Sequence, residues 1–387
     1  MGQPKTLILL VGSNPLPNYL VARVLKPTKK IVLIHTDATH QVAERLASIL
    51  HNGTEIQLAS LPSSSNANAI ANIVTSVMDE EGPESVHLNY TGGTKIMAAH
   101  ALLAFREKGG LAENASYLND GSQSLVFDDG TGTCLKDQDL GLTLDLIGRL
   151  HGCERKSSSG SAQTTRPEPA GKLPQEPDAF EIAKKVATDA RLVESLLQVG
   201  NHLKKWPPEN IWRPQGLKLS VTQVPEESWS KLEAELWEKF LRGGWLEVAV
   251  AAWVREAVDE SPCQGIQWKL PGGRQFEIDV ALVRHNRLYV ISCTTDSALN
   301  LCKSKLFEVA MRSRQLGGDL ARSALVCLTD KGEGNSQSTH IDQLKQDVQS
   351  LWEAPNKPEV FGLACLREWT GCERPKTLTK LEEWLKS

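Results

Sequence analysis

Several absences in this 387-residue sequence each remove a class of function. No stretch of about 18 consecutive apolar residues occurs, so no membrane-spanning helix is expected. The short apolar run in MGQPKTLILLVGSNP reads as a buried strand, not a signal peptide. Eight cysteines form no CxxC pair, which argues against zinc ribbons and disulfide frameworks and suits thiols in a reducing cytoplasm. Nine histidines form no HExxH. GxxxxGK(S/T) and GxGxxG are both missing, so neither a P-loop NTPase nor a dinucleotide enzyme is supported. A basic coat is missing too: 43 Lys and Arg stand against 47 Asp and Glu, a net charge of −4 that leaves room only for a local basic groove.

What is present is an ordinary globular balance, 40% hydrophobic and 23% charged, in a chain long enough for two or three domains. The first 150 residues alternate strand-like runs (Thr6 to Val11, Ile31 to His35, Glu55 to Leu58, Ser85 to Tyr90) with helical patterns. These are Tyr19 to Leu25, Gln41 to Leu50, Ala67 to Met78 and Ile96 to Phe105. Such alternation predicts an α/β fold with a parallel sheet covered on both faces. A hairpin is expected to follow, from Ala115 to Leu118 and Ser124 to Phe127, turning at Asn119-Asp120-Gly121. Arg155 to Pro177, rich in Ser, Gly, Pro, Gln and Lys, reads as a flexible linker. The stretch to Arg242 reads as a small helical or winged-helix-like connector, with Trp206, Trp212, Trp229 and Trp237 as core anchors. A last α/β unit begins at Gly243. The expected boundaries are 1–152, 153–177, 178–242 and 243–387.

Two segments carry chemistry. Asn89-Tyr90-Thr91-Gly92-Gly93-Thr94-Lys95 joins a strand to a helix. Its glycines admit close backbone approach, and the helix start offers free N–H groups and a positive dipole end, a combination suited to phosphate. The first strand ends in a similar polar loop at Gly12, Ser13, Asn14 and Asn18. In an open α/β sheet, ligands sit at the carboxyl ends of strands, so the two loops make a candidate nucleotide pocket. Ordinary strand-to-helix turns would look much the same.

LILLVGSNPLPNYL and LNYTGGTKIMAAHALL together resemble the CARF domain of type III CRISPR ancillary proteins, over roughly residues 1 to 150. The resemblance implies a Rossmann-like sensor of cyclic oligoadenylate, cyclic tetra-adenylate above all, working as a homodimer with one ligand across its two-fold axis. It places Gly12, Ser13, Asn14, Asn18, Thr91, Gly92, Gly93, Thr94 and Lys95 in the pocket, with Thr36 and Asp120 as further candidates.

The second segment is Phe276-Glu277-Ile278-Asp279-Val280. Residues two apart on a strand share a face, so Glu277 and Asp279 can share a metal ion, with Glu247 on a helix upstream. Helix, acidic hairpin and the following strand resemble the PD-(D/E)XK nuclease core. That core implies Mg²⁺ or Mn²⁺ held by Glu247, Glu277 and Asp279, and cleavage of DNA or RNA. The sequence departs from it where the second strand usually carries (D/E)xK: Ser292 and Thr294 stand there. Lys303 or Lys305 from the next helix can supply the missing cation. Lys303, Lys305, Arg312, Arg314 and Arg322, with Lys269 and Arg274 near the hairpin, can contact a nucleic-acid backbone or form a solvated face. The reading is thus a ligand-activated, metal-dependent nuclease of antiviral defence. Its alternative is a catalytically degenerate sensor that binds nucleic acid or a partner without cleavage. A pocket that degrades its own ligand is a third possibility, for which no general base is evident.

Overall fold

The structure, a computed structural model, describes residues 3–155, 173–203, 217–219, 230–329, 340–352, 356–372 and 375–386. Its N-terminal unit runs β1 (Thr6–Leu10), α1 (Leu16–Leu25), β2 (Lys30–Thr36), α2 (His40–Leu50), β3 (Glu55–Leu61), α3 (Ala67–Glu81) and β4 (Val86–Asn89). It continues with α4 (Lys95–Glu107), β5 (Ala115–Asn119), β6 (Ser124–Phe127), β7 (Gly132–Cys134) and α5 (Leu144–Leu150). Helix α1 starts ahead of the expected Tyr19 because Pro17, with its fixed φ, suits a first turn.

The sheet order is β3-β2-β1-β4-β5-β6-β7, parallel through β5 and antiparallel beyond. Every residue of β1 is buried, as a central parallel strand requires. Leu7 and Leu9 join the core under α1 and α2, while Ile8 and Leu10 join the core under α3 and α4. Strand order reverses at β1, which has β2 on one side and β4 on the other, so the loops after β1 and β4 diverge and leave a crevice.

The chain then enters a second sheet through β8 (Glu154–Arg155). Next come α6 (Glu176–Thr188), α7 (Leu192–Leu203), α8 (Lys231–Lys239), α9 (Trp245–Val258), β9 (Cys263–Lys269), β10 (Gln275–Arg284) and β11 (Arg287–Thr294). The unit closes with α10 (Leu299–Gly317), β12 (Arg322–Cys327), α11 (His340–Leu351), β13 (Glu359–Phe361), α12 (Leu363–Thr370) and α13 (Thr379–Lys386). The order is β13-β12-β11-β10-β9-β8. Ala179, Ile182 and Val186 of α6 share one core with Trp237, Trp245, Trp253 and Trp369, so the described helices of the connector belong to the second unit's core. Trp237 is a core anchor as expected; Trp206, Trp212 and Trp229 and most of the expected linker lie outside the described residues. Among the described residues no helix is long and apolar enough to cross a membrane.

The tight turn between β10 and β11 joins the units. His285 and Asn286 both take left-handed backbone there, at φ 50° and 58°. Asn286 Nδ2 donates to the carbonyls of Leu135 and Gln138, at 2.7 Å each, and Gln123 Nε2 donates to the His285 carbonyl at 3.1 Å.

Two histidines, His87 buried and His151 half-buried, make the fold acid-sensitive. His87 lies 2.8 Å from the Ser116 hydroxyl and His151 2.8 Å from the Leu316 carbonyl; burial pushes both down to about 4. The unfolded chain binds a proton near 6.5, so the stability of these neutral rings is full above that pH and lost as pH falls toward 4. The loss is on the order of 3 kcal/mol for each ring. Thermal melts between pH 7 and 4.5 should show a falling midpoint, and the fall should be shallower in His87→Asn.

Candidate functional site

At the switch point the two Gly-containing loops meet. A Cβ on Gly12 would sit 3.1 Å from the Gly93 amide nitrogen. A Cβ on Gly92 would fall 2.0 Å from the Leu10 carbonyl oxygen, so only glycine fits, and Gly93 has φ +72°. Asn18 is buried beneath the loops; its Nδ2 donates to the Leu10 carbonyl at 2.9 Å, while its Oδ1 has no partner. Thr94 caps α4, its hydroxyl accepting the Met97 N–H, and the Thr91 hydroxyl accepts the Leu118 N–H at 2.7 Å. The cap leaves the first N–H groups of α4 open toward an anion.

Gly12, Ser13, Asn14, Thr91, Gly92, Gly93 and Asp120 line one wall of a cleft of roughly 1710 Å³. Asn18, Thr94 and Lys95 flank it without lining it, and Thr36 is engaged in its own turn, its N–H donating to the Thr39 hydroxyl. Burial and neighbouring Asp319 push Asp120 up to about 6, against the pull of Arg287. The opposite wall is α10 of the second unit, a contribution with no local signal in the sequence.

The carboxylate site forms around β10, β11 and α9. A wide π turn, Phe240–Gly244, leads into α9 and brings Glu247 into its first turn. Strand β10 pairs Ile278 with Ile266 and Val280 with Gln264, but Asp279 has no partner in the register, and Gly265 opposite has φ +54°. Phe276 and Ile278 face one core while Val280 and Leu282 face another, so the two-residue alternation breaks at Asp279. The strand is therefore irregular at Asp279, and both Glu277 and Asp279 act electrostatically on Glu247. The break turns Asp279 toward β11, where its Oδ2 accepts the Ser292 hydroxyl at 3.0 Å and the Cys293 N–H at 2.7 Å.

The carboxylates still feel one another. Burial, then Asp279 and Glu277, push Glu247 up to about 8, and burial raises Asp279 from its ordinary value. Lys305 opposes both shifts, and Lys239, which the sequence reading missed, opposes that of Glu247. Lys303 points elsewhere: it pairs with Asp347 at 2.9 Å and lines the cleft. The Thr294 hydroxyl accepts the Asp296 N–H. Glu277 is exposed. Among the described residues no three His, Cys, Asp or Glu side chains are gathered round one point. Hard oxygen donors on Glu247 and Asp279 suit a divalent cation that keeps several of its waters, the usual habit of Mg²⁺.

Residues 6–126 match the Card1 CARF domain family, and residues 234–345 match the family described as Card1-like, endonuclease domain. The chain carries a CARF domain followed by a Card1-like endonuclease domain. Its cradle lies in the CARF domain and its carboxylates in the endonuclease domain. Among solved structures, Can2 from Sulfobacillus thermosulfidooxidans, in complex with cyclic tetra-adenylate, is similar with TM-score 0.66 and 17% identity, over 100% of this chain and 98% of Can2. Protein VC1899 from Vibrio cholerae is similar with TM-score 0.69 and 17% identity, over 98% of each chain. A type III CRISPR defence DNA nuclease activated by cyclic oligoadenylate is similar with TM-score 0.52 and 18% identity, over 92% of this chain and 53% of that one. No curated protein matches the sequence.

Proposed function

We propose that this protein is a nuclease of type III CRISPR defence that cyclic oligoadenylate, in the first instance cyclic tetra-adenylate, switches on to cut DNA or RNA. The observation that carries the reading is one cleft with two owners: the CARF cradle forms one wall, and the other is the endonuclease helix that also brings Lys305 to the carboxylates. Backbone N–H groups at Gly92 to Lys95 and the Thr91 and Ser13 hydroxyls receive the ligand's phosphates. Residues 1–152 act as the sensor, 153–177 as linker, 178–242 as connector and 243–387 as the nuclease domain. The protein works in the cytoplasm, a compartment suited to its eight free cysteines.

Glu247 and Asp279 would hold Mg²⁺ or Mn²⁺, with Glu277 at the rim. The ion supplies an activated water and charge stabilisation at the scissile phosphate. Ser292 and the Cys293 N–H fix the Asp279 carboxylate, and Lys305 offsets the anionic charge that Thr294 does not. Lys305→Met should cut supercoiled plasmid roughly 100-fold more slowly at saturating ligand, the scale of one lost electrostatic stabiliser. Its affinity for cyclic tetra-adenylate should stay that of the wild type.

A homodimer fits the exposed face of α4. Ile96 and Leu103 are 45% and 54% exposed, and with Ala99 they form an apolar stripe beside the cradle. A second copy covering this stripe would place two cradles about one axis. Leu103→Glu should yield monomers by light scattering and weaken ligand binding.

Ser292 and Thr294 in place of the usual pair favour a second reading: a sensor that grips nucleic acid without cutting it. Tight ligand binding with no cleavage of any substrate in Mg²⁺ or Mn²⁺ would establish it.

A further inference from the structure

The hairpin whose turn seats in the sensor unit also builds the carboxylate site. Strand β10 carries Asp279, and β11 carries the Ser292 hydroxyl and the Cys293 N–H that hold it. Resting on the proposed function, we infer that Asn286, at the tip of that hairpin, is a positioning residue for cleavage. Through it the CARF domain sets where the hairpin lies, and Asp279 with it.

Three observations support this. First, the seat is polar and buried. A two-residue turn with both residues left-handed closes by itself and usually stands in water. Here Asn286 is 7% exposed and Arg287 2%. Besides the two carbonyls that Asn286 bonds, His285 Nδ1 lies 3.0 Å from the Lys136 carbonyl, and an Arg287 Nη donates to the Asp120 carbonyl at 3.3 Å. Directional bonds to fixed carbonyls define one position, where an apolar contact would allow sliding. Second, the hairpin is stiff up to the site and irregular at it. Five pairs, Val280↔Ile291 to Arg284↔Arg287, run unbroken from the turn. Asp279 stands five residues from the end of β10, roughly 17 Å of strand at about 3.3 Å per residue. On its other edge β10 loses its ladder to β9 at Asp279, opposite Gly265, so a shift of the tip takes effect at that carboxylate.

Third, hydrogen bonds join the seat to the ligand loop. The Thr91 hydroxyl of the cradle accepts the Leu118 N–H of β5. The turn that follows β5 holds Asp120, and Gln123 ends it, 2% exposed and at φ 50°. Gln123 Nε2 donates to the His285 carbonyl, while its own carbonyl accepts the Leu135 N–H at 2.8 Å. One residue thus fixes both the turn and the segment whose carbonyls Asn286 binds. This route is separate from α10, which reaches the carboxylates through Lys305. The ligand moves the hairpin only in so far as it prefers one seating of the turn to another.

Calorimetry and single-turnover cleavage with the full-length protein test this. Asn286→Gly suits the left-handed backbone and removes only the two donated bonds, so the hairpin should still fold. The variant should bind cyclic tetra-adenylate within about twofold of the wild type and cut as the wild type does without ligand. Stimulation by the ligand should fall at least about tenfold, within the usual range of coupling between two sites. Mn²⁺ titration gives a readout apart from turnover: the ligand should tighten Mn²⁺ binding in the wild type and leave it within about twofold in Asn286→Gly. Gln123→Gly, which removes one bond from the sensor side at a position already left-handed, should show a smaller loss of the same kind. The inference is overturned if Asn286→Gly keeps the full effect of the ligand on cleavage and on Mn²⁺. It is overturned equally if ligand-free cleavage falls as far as stimulated cleavage, which would make the seat a packing contact alone. Activation of the wild type with no change in Mn²⁺ affinity would overturn it too. A wild-type protein that cyclic tetra-adenylate neither binds nor stimulates would instead overturn the proposed function on which the inference rests.

Discussion

Asp279→Asn is expected to lower ligand-stimulated cleavage by about a thousandfold or more, roughly 4 kcal/mol of transition-state stabilisation. The side chain keeps its shape and can still accept from Ser292 and Cys293, so the fold should hold. What disappears is the anion that the break in β10 turns toward β11. Burial already raises the free-energy cost of that charge, so its retention in a core strand points to a use that depends on the charge. Glu277→Gln, at an exposed carboxylate without this support, should cost at most about tenfold. Single-turnover cleavage at saturating cyclic tetra-adenylate would measure both, with calorimetry confirming that ligand affinity is unchanged. Equal losses at the two positions would mean that the three carboxylates act as one undifferentiated cluster.

The second large effect lies in the other domain. Gly92→Ala places a methyl group 2.0 Å from the Leu10 carbonyl oxygen and 2.9 Å from Asn18 Oδ1. Neither neighbour can yield cheaply. Leu10 is in the fully buried central strand, and Asn18 is itself bonded to that same carbonyl. The loop must move off β1, at a cost of about 1–3 kcal/mol in stability, as overpacking generally carries. The N–H groups at the start of α4 move with it. Ligand affinity should fall roughly 100-fold, more than the stability change alone would suggest, because the phosphate donors are those the loop positions. Thr94→Ala, which removes only the cap, should cost about 1 kcal/mol of stability and far less affinity. Melting curves and calorimetry on the two variants would separate cradle shape from helix capping.

The sensor half was largely legible in the sequence because its physics is local. An all-apolar β1 ending in Gly-Ser-Asn-Pro, and β4 ending in Thr-Gly-Gly-Thr, announce a parallel sheet with ligand loops at one edge. The hairpin through Asp120 was equally plain, and the structure places Asp120 on the cleft wall. The nuclease half was less so, because its site depends on irregularities. The period-two argument for Glu277 and Asp279 assumes an unbroken strand, and the break opposite Gly265 has only a lone glycine as its sign. Lys303 and Lys305 look like one basic cluster when read as a string, yet helical geometry sends them to different sites. Lys239 carries no motif at all; the kinked π turn between α8 and α9 leaves it within electrostatic reach of Glu247. The connector seemed separable because its neighbours are polar, but its helices complete a tryptophan-rich core whose partners lie in α9 and beyond.

On the proposed function, one ligand held in the cleft between the CARF domain and α10 controls cleavage at Asp279. The most direct test is plasmid and single-strand cleavage in Mn²⁺ or Mg²⁺, with and without cyclic tetra-adenylate. Cutting should be at least about 100-fold faster with the ligand, within the range that population shifts of a few kcal/mol allow, and about a thousandfold or more slower in Asp279→Asn. Cutting at the same rate with and without the ligand would contradict it.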